Sequence, residues 1–570
     1  MVVKSCVGSL VLICGLAGGP VWSAPPDATS LFPAGAQRGT TATVTIQGKL
    51  GDGTNHMWSS RPGVSVTFPE KPGPISLNVS ADAEPGVCWL RFYNDEGASG
   101  LRPFVIGATA ELIEVEPNDE ITKAQALPSL PVMVNGQHGK GGDSDSYTVA
   151  LRRGEVLVAS MLANRTLGSP QDAVLQILGP DGFVLEQNED DQGFDPQLTF
   201  TAPADGVYTL RTWAFPAAPD SSIRLFGSPA CVYCLLVSTG PFVDHVLPMA
   251  VQAGLTRSVQ LQGWNLAVRR GSDPDRRGSP DPASVQAGSP DPVSTIEITP
   301  PLSVLDRRFE WTLPGWNHRL PVTLLVQPQP AVVELEPNDL AKPQVLTLPV
   351  SVTGQIAQSR DVDTYQFTAT KGQQLRFEVL ARDLGSPLDP LLRLYDSTGK
   401  VLKEADDDGK QSADPDFEFT IPADGDYRIA VTDRFLHHGD RFFYLLSITR
   451  PQPDFTLSVA GDAHVVSADK ELEIPVTIAR TSGFAEEIRV RVQGLPAGIT
   501  SEPVTSESKG DSSKAVKLKL KSDGQVVFSG TIQIVGQPTG SVLREKLATF
   551  SQKTFQSETS DVWLTVVPKK

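Results

Sequence analysis

Apolar and polar positions alternate along much of this 570-residue chain. Leu375-Arg-Phe377-Glu-Val379 and Tyr427-Arg-Ile429-Ala-Val431 repeat with a period of two, as do Leu472-Glu-Ile-Pro-Val-Thr-Ile478 and Ile488-Arg-Val-Arg-Val-Gln493. Alternation sends successive side chains to opposite faces, one toward a core and one toward solvent, as in the strands of an antiparallel sandwich. Turn signals separate the runs. Asp181-Gly182 and Thr398-Gly399 predict hairpin turns, because Gly accepts the positive φ such turns require. Gly and Pro make up about 17% of the chain, against a usual ~12%, which interrupts helices and favours short strands. The pattern predicts an all-β protein: tandem β-sandwich modules, Ig-like or jelly-roll-like, in an elongated multidomain chain.

Self-comparison divides the chain further. Glu114-Val-Glu-Pro-Asn-Asp119 recurs as Glu334-Leu-Glu-Pro-Asn-Asp339, and Asp143-Ser-Asp145-Ser-Tyr147 recurs as Asp361-Val-Asp363-Thr-Tyr365. Leu167-Gly-Ser-Pro170 answers Leu384-Gly-Ser-Pro387, and Pro203-Ala-Asp-Gly-Val-Tyr208 answers Pro422-Ala-Asp-Gly-Asp-Tyr427. The order is kept at offsets of 217 to 220 residues, so each copy reads as one module. A fainter repeat precedes each copy: Leu31 to Gly48 resembles Leu247 to Gly263 in its Pro-containing opening, Gly turn and alternating strand. The expected modules are 25–110, 111–240, 241–330, 331–450 and 451–570, with a Pro/Ser/Asp-rich insertion at 271–292.

Residues 1–24 read as a secretory signal, with Lys4 before an apolar stretch from Val7 to Ala17 and small residues at Ser23 and Ala24. The stretch is short for a membrane span, which needs ~20 residues. Bulky Ile13 before Cys14 argues against lipidation there. An exported chain is expected: periplasmic, cell-surface or extracellular, with no transmembrane segment. Beyond the signal remain Cys88, Cys231 and Cys234, of which at most one pair can bridge. Cys231-Val-Tyr-Cys234 has redox spacing but lies in a strand-like run, which favours a structural role. A net charge of −17 excludes a nucleic-acid partner, which needs clustered Lys and Arg.

The repeated motifs, from Glu-x-Glu-Pro-Asn-Asp through Asp-x-Tyr to Pro-Ala-Asp-Gly-x-Tyr, resemble the bacterial pre-peptidase C-terminal domain, a small β-sandwich of exported proteins. The segments before each copy are similar to IPT/TIG modules. The last segment, with Gly494-Leu-Pro-Ala-Gly498, is similar to other Ig-like modules. The first resemblance implies a structural calcium ion where the entry segment meets the sandwich. Its ligands would be Glu114, Glu116, Asn118, Asp119 and Asp145 in copy one, and Glu334, Glu336, Asn338, Asp339 and Asp363 in copy two. Asp143 and Asp361 sit nearby, off the family's usual spacing.

The chemistry is coherent on its own terms. Calcium takes six to eight hard oxygen ligands, and Glu-x-Glu in an extended segment sends two carboxylates the same way. The plainer alternative is a solvated linker whose Asn-Asp caps a turn. A second acidic cluster, Glu189-Asp190-Asp191 with Asp195, is matched by Asp406-Asp407-Asp408 with Asp414. It reads first as a hydrated hairpin tip and second as another cation site.

No His-Glu-x-x-His, Gly-x-Ser-x-Gly or phosphate-binding loop is present, and the seven His are scattered. The expectation is a non-catalytic secreted or cell-surface binding or adhesion protein, its partner an extracellular matrix, polysaccharide or protein ligand. The alternative is an accessory or targeting protein for a secreted peptidase or other hydrolase.

Overall fold

The computed structural model describes residues 24–51, 54–218, 224–266, 295–300, 308–311, 320–407, 409, 412–468, 470–540, 545–552, 555 and 557–567. The insertion at 271–292, residues 1–23 of the expected signal, and Asp408 lie outside the described residues. Strands dominate, as the alternation requires, and no helix among the described residues is long and apolar enough to cross a membrane.

Each repeated copy is a sandwich of two five-stranded sheets. In copy one, Glu111–Ile113, Val132–Gln137, Val232–Ser238, Val156–Leu162 and Gln197–Thr201 form one sheet in that order. Gln125–Ala126, Asp145–Leu151, Gly206–Pro216, Gln171–Leu178 and Val184–Asn188 form the other. Copy two repeats this order strand for strand, from Ala331–Val333 to Asp416–Thr420 and from Gln344–Val345 to Val401–Ala405. The predicted hairpins are present, with Gly182 at φ 82° and Gly399 at φ 86°. Between the sheets lie Tyr147, Leu175, Leu210 and Leu235 in copy one. Tyr365, Phe377, Leu392 and Leu446 do the same in copy two. Fully burying each large apolar side chain stabilises by about 1.5–3 kcal/mol.

The path of the entry segment positions the site. Glu111–Ile113 runs parallel to Val132–Gln137 on the edge of the first sheet. The chain then crosses the end of the sandwich and pairs Gln125–Ala126 with Tyr147 and Thr148 in the second sheet. Ala331–Val333 and Gln344–Val345 make the same crossing. The Glu-x-Glu-Pro-Asn-Asp motif therefore spans the gap between the sheets, beside the first residue of Asp145–Leu151 or Asp363–Ala369.

The fainter repeat also shares a topology. Gly35–Gln37 pairs parallel with Arg102–Gly107, and Ala250–Gln252 pairs parallel with Val322–Gln327. The modules also pack against one another. Ala34 and Val105 of the first module share one apolar cluster with Met133, Val158 and Val232 of the second and Phe242 of the third. The last module returns to the first, where Tyr93 meets Trp563 and Trp89 meets Phe555, ring centroids 4.8 Å and 5.3 Å apart. The two repeated copies touch as well, since Arg165 donates to the carbonyls of Arg382 and Asp383 at 3.1 Å and 2.7 Å. Alternation reports which face of a strand is buried, and these contacts join residues hundreds of positions apart. Cys88, Cys231 and Cys234 are all free and buried.

Candidate metal centre

The crossing delivers carboxylates to the end of each sandwich. In copy one, carboxylate oxygens of Glu116, Asp119 and Asp143 lie within 4.8 Å of one another; in copy two, Glu334, Glu336 and Asp363 do so. Asp143 is thus part of a cluster, although its spacing ranked it low. Asp339 turns away from the copy-two cluster and accepts the amides of Ala341 and Lys342 at 2.8 Å and 2.9 Å. Asp361 likewise accepts the amides of Ala357 and Gln358 at 2.9 Å and 3.2 Å.

Local hydrogen bonds shape the motif alike in both copies. The amide of Asn118 donates to Glu116 Oε2 at 3.0 Å, and that of Asn338 donates to Glu336 Oε2 at 3.1 Å. Gln125 and Gln344 each hold the intervening residue, accepting the amides of Val115 and Leu335 at 2.8 Å. These bonds tuck each Asn inward: Asn118 is 0% exposed and Asn338 1%.

Burial leaves several of these atoms without a partner. Glu114 Oε2, Asp145 Oδ1 and both polar side-chain atoms of Asn118 have no hydrogen-bond partner in copy one. Glu334 Oε2, Asp363 Oδ1 and Asn338 Nδ2 have none in copy two. An unpaired buried polar group costs about 1–3 kcal/mol, more when charged. Burial, and then the neighbouring carboxylates, push Glu114 up to about 9 and Glu334 up to about 9. Burial likewise pushes Asp145 up to about 8 and Asp363 up to about 7. The unpartnered oxygens of Glu114, Asn118 and Asp145, and of Glu334 and Asp363, are hard acceptors of the kind a divalent cation takes, whereas the unpartnered Nδ2 atoms of Asn118 and Asn338 are donors that a cation does not satisfy.

A tyrosine pair anchors each buried aspartate. Tyr233 donates to Asp145 Oδ2 at 2.5 Å, and its hydroxyl meets that of Tyr147 at 2.6 Å. Tyr444 donates to Asp363 Oδ2 at 2.7 Å and meets Tyr365 at 2.6 Å. Room for these rings requires glycine opposite: a Cβ on Gly136 or Gly354 would lie 2.1 Å or 2.3 Å from the ring carbon bearing the hydroxyl. Sequence reasoning quoted Tyr147 and Tyr365 as motif residues but missed Tyr233, Tyr444 and both glycines. The signal was there, in Asn135-Gly136-Gln137 against Thr353-Gly354-Gln355 and in the Tyr at the second position of each facing strand. His138, fully buried, was also missed; its Nδ1 meets Gln171 Oε1 at 2.8 Å and its Nε2 lies 3.6 Å from Asp145.

The second acidic cluster is not a hydrated hairpin tip throughout. Asp195 is buried and accepts the amides of Ala163, Asn164 and Arg165 at 3.1, 2.7 and 3.3 Å. Asp414 does the same for Ala381, Arg382 and Asp383 at 2.9, 3.0 and 3.1 Å. Each carboxylate closes a short helical turn. Asp191 pairs with Arg441, and Asp406 pairs with Arg434.

Residues 143–211 and 361–433 match the model of the bacterial pre-peptidase C-terminal domain. The two repeated sandwiches are pre-peptidase C-terminal domains. The matched stretches contain Asp145 and Asp363 and begin after the Glu-x-Glu segments. A probable subtilase-type serine protease of Deinococcus radiodurans is 37% identical over 101 residues, covering 17% of this chain and 14% of that protein. This chain therefore spans about a seventh of the length of that curated relative. Among solved structures, the pre-peptidase C-terminal domain of a Bacillus anthracis collagenase is 15% identical, with 19% of this chain and 93% of that one covered and a TM-score of 0.16. Fibronectin type III-like modules from Clostridium thermocellum are 11% identical, covering 35% of this chain and 87% of that one, at a TM-score of 0.12.

Proposed function

We propose that the protein is an exported, non-catalytic binding protein whose two pre-peptidase C-terminal domains each hold a structural calcium ion at the entry crossing. The observation that carries this reading is the recurrence, in both copies, of a buried aspartate and a buried glutamate that each keep one carboxylate oxygen without a donor. Glu114, Glu116, Asn118, Asp119 and Asp145 would hold the ion in copy one, joined by Asp143. Glu334, Glu336, Asn338 and Asp363 would hold it in copy two, and Asp339 would have to leave the amides it now caps. Bound there, the ion would neutralise crowded carboxylates and tie the crossing segment to both sheets. Magnesium suits the site less, since it demands octahedral geometry and dehydrates reluctantly.

In this reading the stiffened modules present a surface to a matrix, polysaccharide or protein ligand outside the cytoplasm. A second reading, an accessory of a secreted peptidase, is favoured by the 37% identity with part of the Deinococcus protease. A pull-down from the exported fraction with and without calcium separates the two. Calcium-dependent recovery of polysaccharide or matrix supports adhesion, whereas recovery of one peptidase supports the accessory role. Peptidase or glycosidase activity that survives purification and is lost with a single carboxylate would overturn both.

A further inference from the structure

We infer that Lys140 is a resident counter-ion that competes with the metal at the first calcium site and lowers the calcium affinity of that site. The inference rests on the calcium reading above and adds to it a residue that tunes one site and not the other.

Matching Asp143 to Asp361 and Asp145 to Asp363 places Lys140 on Gln358. The two copies therefore differ in charge at a position beside the cluster. Lys140 Nζ lies 3.6 Å from Asp119 and 3.5 Å from Asp143, two of the three clustered carboxylates of copy one. Those carboxylates in turn hold the ammonium in its charged form. In copy two, the charges that act on Glu334, Glu336 and Asp363 are those of other carboxylates. Among the described residues, no Lys or Arg forms an ion pair with Glu334, Glu336, Asp339, Asp361 or Asp363.

A divalent ion entering copy one must displace the ammonium or sit against it; in copy two Arg360 stands where copy one has Gly142, and among the described residues no ion pair ties it to those carboxylates. The Lys140 side chain is 65% exposed, so it can swing into water, and its pairs are weak ones. Its effect should therefore be about three- to tenfold in affinity, and salt should shrink it. The same exposure makes substitution harmless to the sandwich core.

The test is calorimetric calcium titration of the full exported chain at low salt. Glu336→Gln silences the second site and reports the first; Glu116→Gln reports the second. On the first background, Lys140→Gln should tighten calcium binding about three- to tenfold, and on the second, Gln358→Lys should weaken it by a similar factor. Both effects should fade at high salt. An unchanged or weaker affinity for Lys140→Gln overturns the inference while leaving the calcium reading standing. Absence of calcium binding on both backgrounds overturns the calcium reading itself, and the inference with it. Melting curves of the exposed Lys140 and Gln358 variants in chelator should match the parent, which separates site effects from folding.

Discussion

Arg91 in the first module and Asp462 in the last form an ion pair at 2.6 Å across 371 residues of sequence. The Arg91 side chain is 1% exposed, donates to the Ser99 carbonyl at 2.7 Å, and lies over the Trp563 ring. A buried guanidinium stripped of its carboxylate costs about 3–5 kcal/mol, far more than an exposed pair. Asp462→Ala should therefore release the last module from the first. Small-angle scattering should show an expanded particle, and proteolysis should accelerate near residues 450–453. A variant with unchanged scattering would show that aromatic packing alone holds the closure.

The tyrosine pairs give a second prediction. Tyr233→Phe or Tyr444→Phe keeps the ring but removes the donor to Asp145 or Asp363. Leaving that buried oxygen unpaired should cost about 1–3 kcal/mol in chelator. Calcium should restore part of the loss if the ion draws on the same carboxylate. Thermal melting with and without calcium measures both terms, and equal losses in the two conditions would place the tyrosines outside the site's energetics.

Asp195 and Asp414 should behave differently. Each closes a helical turn by accepting three amides, so Asp195→Ala or Asp414→Ala should cost at least about 2 kcal/mol. That cost should be the same in calcium and in chelator. A calcium-dependent difference would return this cluster to the list of cation sites.

The raised carboxylates set a pH dependence whose sign can be worked out. Without the ion, Glu114, Glu334, Asp145 and Asp363 titrate at about 9, 9, 8 and 7 in the folded protein. In the unfolded chain they titrate near ~4. The folded state therefore binds more protons above pH ~4, and stability falls as pH rises through the folded values. Burial lowers the His138 pKa, so it works the other way, but only below about pH 6.5; between pH 7 and 9 Glu111, pushed up by burial to about 8, adds to the same fall. Between pH 7 and 9 the chelated protein should lose melting temperature, and calcium binding should strengthen with release of protons. Calorimetry in two buffers of different ionisation enthalpy measures that release. A chelated melting temperature that holds constant from pH 7 to 9 would contradict the burial of these groups.

Much of the sandwich was legible because period-two alternation and Gly turns are local signals. So was the entry motif, because its duplication in register marks it. The membership of each cluster was less so. Asp119 and Asp339 occupy equivalent places in sequence, yet one joins a cluster and the other caps the Ala341 and Lys342 amides. A carboxylate's choice between a backbone amide and its neighbours depends on angstrom-scale placement, which no spacing encodes. The tyrosine pairs were hidden because Tyr233 and Tyr444 lie 88 and 81 residues from the aspartates they hold. Module closure was hidden for the same reason: Arg91 carries no mark in sequence that its partner is Asp462.

The proposed function requires each pre-peptidase C-terminal domain to bind calcium at its entry crossing. Calcium titration of the full chain, followed by calorimetry and by melting temperature, tests it most directly. The account predicts two bound ions per chain, with binding to the native state contributing about 2.7 kcal/mol of stability at a hundredfold excess over Kd. Glu116→Gln and Glu336→Gln should each remove one ion and spare the other. No heat of binding, together with identical melting curves in calcium and in chelator, would contradict it and leave the motif as an acidic crossing segment.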